Sequence, residues 1–306
     1  MSDEPKVMDG TDWSLLVLLS VLWGGTFFFA GVAVREIPPL SVVLARVALA
    51  AVFLLPLFWF YGHRLPRTAR DWMPYFVMGV LNNAIPFGFL FAAQTIITVG
   101  LASIINAMTP LFTVLVMAAF AVERLTGGRV VGVILGVAGV AILRGLDEPF
   151  SGAQTIGIGL GLVATASYGF AALWGRRHLA GVAPLKSATC QLICSSVVML
   201  FVVALVEQPW TIAAPSATAW LSVVGLAVLG TALAYIVFFQ ILVRAGASNV
   251  MLVTLLIPLS AMFLGNVFLD EGIRIREIVG AGVIGLGLLA IDGRVFRCLR
   301  RRAATG

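Results

Sequence analysis

Long apolar runs follow one another along almost the whole chain, separated by short polar connections. A membrane-spanning helix needs about 20 mostly apolar residues, and most of these runs are long enough. Hydrophobic residues make up 60% of the 306 residues and charged residues only 11%, whereas an ordinary soluble domain has about 25% charged residues. One soluble core could not bury this much apolar surface. The pattern therefore predicts an all-α polytopic membrane protein and excludes an intrinsically disordered chain, a nucleic-acid binder and a disulfide-stabilised scaffold.

Ten spans result when the chain is divided at its charge clusters and at its Pro and Gly turn signals. The first run is longer than the apolar core of a signal peptide, which has about 7–15 residues, so we retain it as a span. The connections leave no room for a soluble domain. The predicted spans are Trp13–Val34, Leu40–Tyr61, Trp72–Ile96, Leu101–Ala121, Arg129–Arg144, Ile156–Trp174, Leu185–Val206, Ala217–Val243, Ala247–Leu269 and Ile278–Val295.

Lys and Arg are distributed unevenly between the two sides of this predicted bundle. With ten spans, fifteen of the twenty basic residues fall on the side that holds both termini, and four fall on the other. Cytoplasmic connections of membrane proteins carry the excess of Lys and Arg. We therefore expect a multi-pass protein of a bacterial-type inner membrane, with cytoplasmic termini and a basic cytoplasmic tail at residues 297–306. The twentieth basic residue, Arg46, lies inside the second span.

The two halves of the chain repeat one pattern at an offset of 145 to 148 residues. Pro110 precedes Glu123 by thirteen residues, and Pro258 precedes Glu271 by the same distance. Other pairs at this offset are Trp23 with Tyr168, Pro39 with Pro184, and Gln94 with Gln240. We expect two five-helix repeats, at residues 12–146 and 153–296. Because five is odd, the second repeat would cross the membrane in the opposite direction, an arrangement typical of transporters with a site near the midplane.

The same residues resemble a known family. The Trp-Gly-Gly-Thr-Phe run at residues 23–27, and the proline followed thirteen residues later by Glu in each half, resemble the EamA-type repeat of the drug/metabolite transporter superfamily. Within it, the chain is most similar to the ten-helix YddG-type exporters of aromatic amino acids. The resemblance implies a secondary transporter that exports neutral, apolar or aromatic amino acids and related metabolites by alternating access. An exporter of multiple drugs or organic cations is the alternative.

The charged residues inside the predicted spans restrict the charge that a substrate can carry. All fourteen acidic residues lie in tails, connections or span ends, so no carboxylate is placed to carry a proton in the middle of a helix. A carrier of phosphate compounds would need several basic residues in its cavity, and only Arg46 qualifies. We expect a small substrate that is zwitterionic or uncharged overall, with uniport as plausible as proton exchange.

Arg46 lies about eight residues into the second span and has two interpretations. Its long stem could let the guanidinium reach the outer interface. Alternatively, the guanidinium faces a cavity and binds a carboxylate. Gln191 occupies the equivalent position in the second repeat.

Two amides and three prolines mark irregular helices. Asn82 and Asn83 precede Pro86 in the third span, and they either contact a substrate or bond to neighbouring helices. Pro110 and Pro258 are equivalent positions in the fourth and ninth spans, where we expect them to shape the helices.

Deep aromatic residues complete the candidate binding site. Trp23 lies beside two glycines with Phe27 one turn further on, while Tyr168, its repeat partner, shares a helix with Trp174; Tyr235 is in the eighth span. Buried Trp and Tyr side chains need a polar partner, which a cavity can supply. These residues are therefore candidates for an aromatic cavity wall, with helix packing as the alternative.

Neither a cofactor nor a metal site is expected. Cys190, Cys194 and Cys298 form no CxxC pair, and no cluster of Asp, His and Cys of the kind that a membrane transferase needs is present. We therefore predict no enzymatic activity. Glycines four residues apart, such as Gly132 and Gly136, favour close helix packing, which leaves a monomer or a weak homodimer open. The expected partners are a small-molecule substrate and the lipid bilayer, and no nucleic acid.

Overall fold

A computed structural model describes residues 8–123, 125–145, 152–211, 213–250 and 252–292. These residues form helices and contain no strand. The predicted basic tail at 297–306 and Cys298 lie outside the described residues. The main helices are α1 (Gly10–Ala33), α2 (Pro39–Phe60), α3 (Ala69–Gln94), α4 (Val99–Ala119), α5 (Gly127–Arg144), α6 (Ala153–His178), α7 (Pro184–Val206), α8 (Ala217–Ala245), α9 (Val253–Leu269) and α10 (Ile275–Asp292).

Within the described residues, eight helices, α1 to α8, are long and apolar enough to cross a membrane. Helix α9 is apolar but has only 17 residues. Helix α10 has 18 residues but carries Arg276, Glu277 and Asp292 at its ends. The structure therefore agrees with a polytopic helical membrane protein, and ten complete spans remain a proposal.

Local sequence sets where several helices begin. Pro39 and Pro184 occupy the first helical position of α2 and α7, where the missing N–H of proline has no helical partner to lose. Thr68 caps α3 by accepting a hydrogen bond from the Asp71 backbone N–H, and Ser216 caps α8 in the same way. These caps satisfy backbone donors that a helix end leaves unpaired.

Three helices are interrupted near their centres. Helix α3 widens to a π-helix at Val80–Ala84, just before Pro86, which has no N–H to donate to the carbonyl of Asn82. Helix α8 contains a second π-helix at Val228–Leu233, so the two wide turns begin 148 residues apart. Helix α4 is broken between Asn106 and Thr109, directly before Pro110, whereas Pro258 lies inside the continuous helix α9.

Helices α5 and α10 approach each other closely, and the contact is reciprocal. A Cβ atom added at Gly132 would lie 2.6 Å from the carbonyl oxygen of Gly287, and one added at Gly287 would lie 2.8 Å from that of Gly132. Gly139 and Gly280 face each other in the same way, at 3.0 and 3.1 Å. The start of α5 therefore packs against the end of α10, and the end of α5 against the start of α10. The two helices run antiparallel with their backbones in contact.

The outer surface of the bundle is apolar. On α5, Val130, Val131, Ile134 and Val137 are exposed, Val137 by 63%. Most of the interior side chains are also apolar, with Leu16 on α1 fully buried. A bundle that is apolar on both its inside and its outside fits a lipid environment.

Candidate functional site

Polar contacts between helix ends divide the molecule into two faces. At the face where α1 begins, here called the N-terminal face, Arg244 at the end of α8 bonds to Asp9 and Asp12. Glu123, just after α4, pairs with Arg129 and Arg176 at the same face. The opposite face holds the end of α1 and the start of α2. If successive helices cross the bundle in alternating directions, the helix ends that each of these contacts joins lie on the same face.

Three carboxylates join helices at the opposite face. Glu207, after α7, accepts hydrogen bonds from the backbone N–H groups of Leu40 and Ser41 at the start of α2. Glu271, after α9, accepts from the Val99 N–H at the start of α4. Each carboxylate occupies the positive end of a helix dipole, so these contacts hold the opposite face together.

The third carboxylate is Glu36, after α1, which accepts hydrogen bonds from the N–H and hydroxyl of Ser216 at 2.6 and 2.7 Å. Those bonds favour the anion and hold the pKa of Glu36 below its usual value. Burial instead raises the pKa of Glu271, against the lowering effect of the Val99 N–H. The two carboxylates are therefore expected to respond differently to pH.

A cavity of about 580 Å³ occupies the centre of the bundle. At one end it is lined by Arg46 and Phe91, toward the opposite face, and at the other by Val250 and Ile291. Val250 precedes α9, and Ile291 is the next-to-last residue of α10. The lining thus extends to the N-terminal face. At its other end it stops before it reaches the carboxylate contacts of the opposite face.

Most sequence-predicted site residues line this cavity. They are Trp23, Phe27, Arg46, Asn82, Asn83, Tyr168 and Tyr235, together with Pro110. Pro86 is buried within α3, and Pro258 borders a separate, smaller cavity of about 260 Å³ between α4, α9 and α10.

Arg46 is buried, with 7% of its surface exposed. Its guanidinium carbon lies 3.9 Å from the centre of the Phe87 ring, and its Nε donates to Thr231 Oγ1 at 3.4 Å. Of the two interpretations of Arg46, the structure therefore places the guanidinium in the cavity and not at the membrane interface. Arg46 forms no ion pair with any carboxylate in the described ranges.

The two amides both line the cavity and join helices. Asn82 Nδ2 donates to Gln191 Oε1, and Asn83 Nδ2 donates to Ser195 Oγ, each at 3.2 Å. Both bonds connect the wide turn of α3 to α7. The Oδ1 atom of Asn83 is buried and has no protein partner.

The predicted aromatic site residues line the cavity, with the exception of Trp174. Trp23 packs against Phe238 with ring centroids 5.6 Å apart, and both line the cavity. Trp174 does not belong to the lining. Its indole N–H donates to the carbonyl oxygen of Pro74 at 3.0 Å, and its ring stacks on His178, so the polar partner that its burial requires is a backbone group rather than a cavity.

Thr231, Phe87 and Phe238 line the cavity but were not singled out from the sequence. The repeat offers a signal for two of them. An offset of 148 residues pairs Asn83 with Thr231 and Phe87 with Tyr235, so two predicted residues point to two missed ones. Phe238 has no comparable signal.

Metal-binding groups are not concentrated in the part of the chain that the structure describes. No group of three or more His, Cys, Asp or Glu side chains there could hold a metal ion. The cavity lining, in the same ranges, contains Arg46 as its one charged side chain.

Fold and cavity together define a polytopic helical membrane protein with an internal site that reaches one face. The chain belongs to the EamA-like transporter family, which matches residues 12–145 and again residues 155–291. It is therefore a member of a family of membrane transporters.

Similar proteins agree with that assignment. An uncharacterized transporter of Archaeoglobus fulgidus is 26% identical over 91% of this chain and 98% of the relative. Protein PecM of Dickeya dadantii is 28% identical over 89% of each chain. The uncharacterized inner membrane transporter YedA of Escherichia coli is 25% identical over 90% of this chain and 89% of its own. One solved crystal structure shares the fold, with a TM-score of 0.65 and 18% identity over 95% of this chain and 99% of that chain.

Proposed function

We propose that this transporter carries small, apolar or aromatic amino acids and related metabolites through the central cavity by alternating access. The observation that carries the proposal is the composition of the cavity wall. Aromatic rings surround a buried cation that has no carboxylate partner among the described residues. Such a wall offers stacking surfaces to a side chain and one charge to a carboxylate.

The packing of α5 on α10 supports an inverted repeat. The 148-residue offset converts Gly132 to Gly280 and Gly139 to Gly287, so it converts the Gly132–Gly287 contact into the Gly280–Gly139 contact. A contact set that maps onto itself with its helices antiparallel is what a two-fold axis in the membrane plane would produce. We therefore propose ten spans in two repeats, at residues 12–146 and 153–296.

The distribution of contacts supports alternating access. The cavity reaches the N-terminal face, while Glu36, Glu207 and Glu271 hold the opposite face together. If the excess of Lys and Arg marks the cytoplasm, this conformation is open to the cytoplasm and ready to load a substrate for export. The opposite conformation would require those carboxylate contacts to separate.

The charge of the cavity distinguishes the alternatives. A carrier of organic cations would repel its substrate from Arg46, and no carboxylate lines the cavity in the described ranges to offset that repulsion. The same lack of an acidic group favours uniport over proton exchange.

Counterflow in proteoliposomes tests the proposal. Vesicles loaded with unlabelled phenylalanine should accumulate external labelled phenylalanine, tryptophan or leucine, equally with and without proton or sodium gradients. Ala172→Trp, which fills the cavity, should abolish the exchange, and Val137→Trp on the lipid-facing surface should leave it intact. Failure to exchange any neutral amino acid would contradict the proposed substrate, and dependence on an ion gradient would contradict uniport.

A further inference from the structure

We infer that Arg46 forms a carboxylate subsite in the cavity that Thr231, Tyr168 and Tyr235 also line, and that the cavity accepts aromatic monocarboxylates that have no amino group. The inference rests on the proposed function and extends it from amino acids to a broader class of substrate. It identifies the carboxylate, rather than the amino group, as the charged group that the protein recognises.

The first step is the state of the Arg46 guanidinium. A buried charge is costly unless it is paired, yet Arg46 is 93% buried by side chains that carry no charge. Its one hydrogen bond is made by Nε to Thr231, at 3.4 Å. The two terminal nitrogens, which form the outer edge of the guanidinium fork, have no hydrogen-bond partner in the described structure. An anion in the cavity would satisfy both.

The second step is the set of groups around that fork. Phe87 covers one face of the guanidinium at 3.9 Å, and Phe91 lies 5.7 Å away, so the planar edge remains the route for a ligand. Tyr168 and Tyr235 line the same cavity as Arg46. Their phenol groups are available as additional donors to an anion.

The third step is the charge of the ligand. One guanidinium matches one carboxylate with two parallel hydrogen bonds, whereas a phosphate dianion would leave a negative charge unpaired in an apolar wall. A monocarboxylate brings the net charge of the cavity to zero. A zwitterionic amino acid leaves it at +1, and its ammonium group finds only neutral acceptors among the described lining residues, such as Asn106 and Thr109. The amino group is therefore dispensable.

The fourth step is the rest of the ligand. Trp23 and Phe238 form an aromatic pair in the same cavity, and an aromatic ring can pack against such a pair. The cavity, with a volume of about 580 Å³, has ample room for an acid with a single aromatic ring. The same cavity thus offers an aromatic wall to the ring and a guanidinium to the carboxylate.

Three compounds that share a phenylethyl unit test the inference: phenylalanine, 3-phenylpropionate, which lacks the amino group, and phenethylamine, which lacks the carboxylate. Binding to the purified protein would be measured by titration calorimetry and by competition with labelled phenylalanine in counterflow. We expect 3-phenylpropionate to bind at least as tightly as phenylalanine, and phenethylamine about tenfold more weakly or worse, the factor set by the loss of one charged hydrogen-bonding group. The methyl ester of 3-phenylpropionate should behave like phenethylamine.

Two variants assign the effect to Arg46. Arg46→Gln should weaken 3-phenylpropionate about tenfold or more and reduce the difference between the acid and its ester. Thr231→Val, which removes the acceptor of Nε, should weaken the acid about threefold and provides a second measurement if Arg46→Gln does not fold. Arg177→Gln, at an exposed position outside the cavity, is the matched control and should bind all three compounds as the native protein does.

The outcomes separate the two proposals. Phenylalanine binding without 3-phenylpropionate binding would overturn the inference and leave the proposed function standing. Equal binding of the acid and its ester would overturn it as well. Tightest binding of phenethylamine would overturn both the inference and the amino-acid proposal. Failure of all three compounds to bind would also contradict both.

Discussion

Glu207 binds Ser41 twice across the opposite face of the bundle, once through the Ser41 backbone N–H at 2.7 Å and once through its hydroxyl at 2.8 Å. A third bond comes from the Leu40 N–H. One carboxylate thereby joins the end of α7 to the start of α2. These bonds lie where the cavity is closed, so they are expected to contribute both to stability and to the choice of open face.

Glu207→Ala should lower the free energy of unfolding by about 2 kcal/mol, because a partly exposed carboxylate loses three hydrogen bonds and the Leu40 and Ser41 donors lose their acceptor. Glu207→Gln, which keeps an acceptor oxygen, should have a smaller effect. The measurement is a denaturant titration of the purified protein. Asp270→Asn, at an exposed position at the same face, is the control and should change the value by less than about 0.5 kcal/mol. Equal effects of Glu207→Ala and Asp270→Asn would contradict this role.

Acid should weaken the contact between Glu36 and Ser216. Their hydrogen bonds stabilise the anion and hold the pKa of Glu36 below its usual value of 4.5. The stabilisation is therefore fully present above that value and is lost as the pH falls through the lowered pKa. The difference in stability between the native protein and Glu36→Gln should be constant near neutral pH and shrink below about pH 4.5.

A double variant isolates this contact from other acidic groups. In a Ser216→Ala background, the difference in the free energy of unfolding between the protein with Glu36 and its Glu36→Gln variant should no longer depend on pH. A difference that persists unchanged at low pH, or that survives Ser216→Ala, would show that Ser216 is not its cause.

The seam between α5 and α10 should not tolerate a methyl group. Gly132→Ala would place Cβ 2.6 Å from the Gly287 carbonyl oxygen, and such overpacking costs about 1–3 kcal/mol. Gly282→Ala is the matched control, because a Cβ there meets nothing within 4 Å, and removing a helical glycine should stabilise by about 0.5–1 kcal/mol. Denaturant titration measures the free energy of unfolding of both variants. Equal effects would contradict the close packing of α5 on α10 at Gly132.

Trp23 and Trp174 should differ in their effect on binding. Trp23→Ala removes a cavity wall and should weaken phenylalanine about tenfold, as expected for the loss of an aromatic contact and its buried area. Trp174→Phe removes the hydrogen bond to Pro74 and should leave the affinity within about twofold, while lowering stability by about 1 kcal/mol. Titration calorimetry measures the first effect and denaturant titration the second. A tenfold loss in Trp174→Phe would contradict its placement outside the site.

The long helices could be predicted because lipid imposes a local rule. A run of about 20 apolar residues is sufficient to place a span, so the predicted and observed limits of α1 and α2 differ by at most three residues. Helix α10 begins at Ile275 rather than at the predicted Ile278, because the charged residues Arg276 and Glu277 fit into its first turn.

The position of the Arg46 head group could not be predicted, since it depends on side chains far away in the sequence. Phe87 and Thr231 lie 41 and 185 residues further along the chain, and they decide that the guanidinium turns inward. The wide turn of α8 was also missed. In α3 the equivalent turn is marked by Pro86, but residues 228–233 contain no proline. Trp174 met its requirement for a polar partner at Pro74, which no spacing within α6 could indicate.

The two wide turns, Val80–Ala84 and Val228–Leu233, have a consequence for motion. The backbone hydrogen bond of a π-helical turn spans one residue more than that of an α-helical turn, and we expect such a turn to migrate along a helix by exchanging one backbone hydrogen bond at a time. Each such step rotates the residue it passes by about 100° without opening the helix to lipid. Asn82 and Thr231 lie in these turns, so we expect such a step to change which side chains face the cavity without breaking either helix.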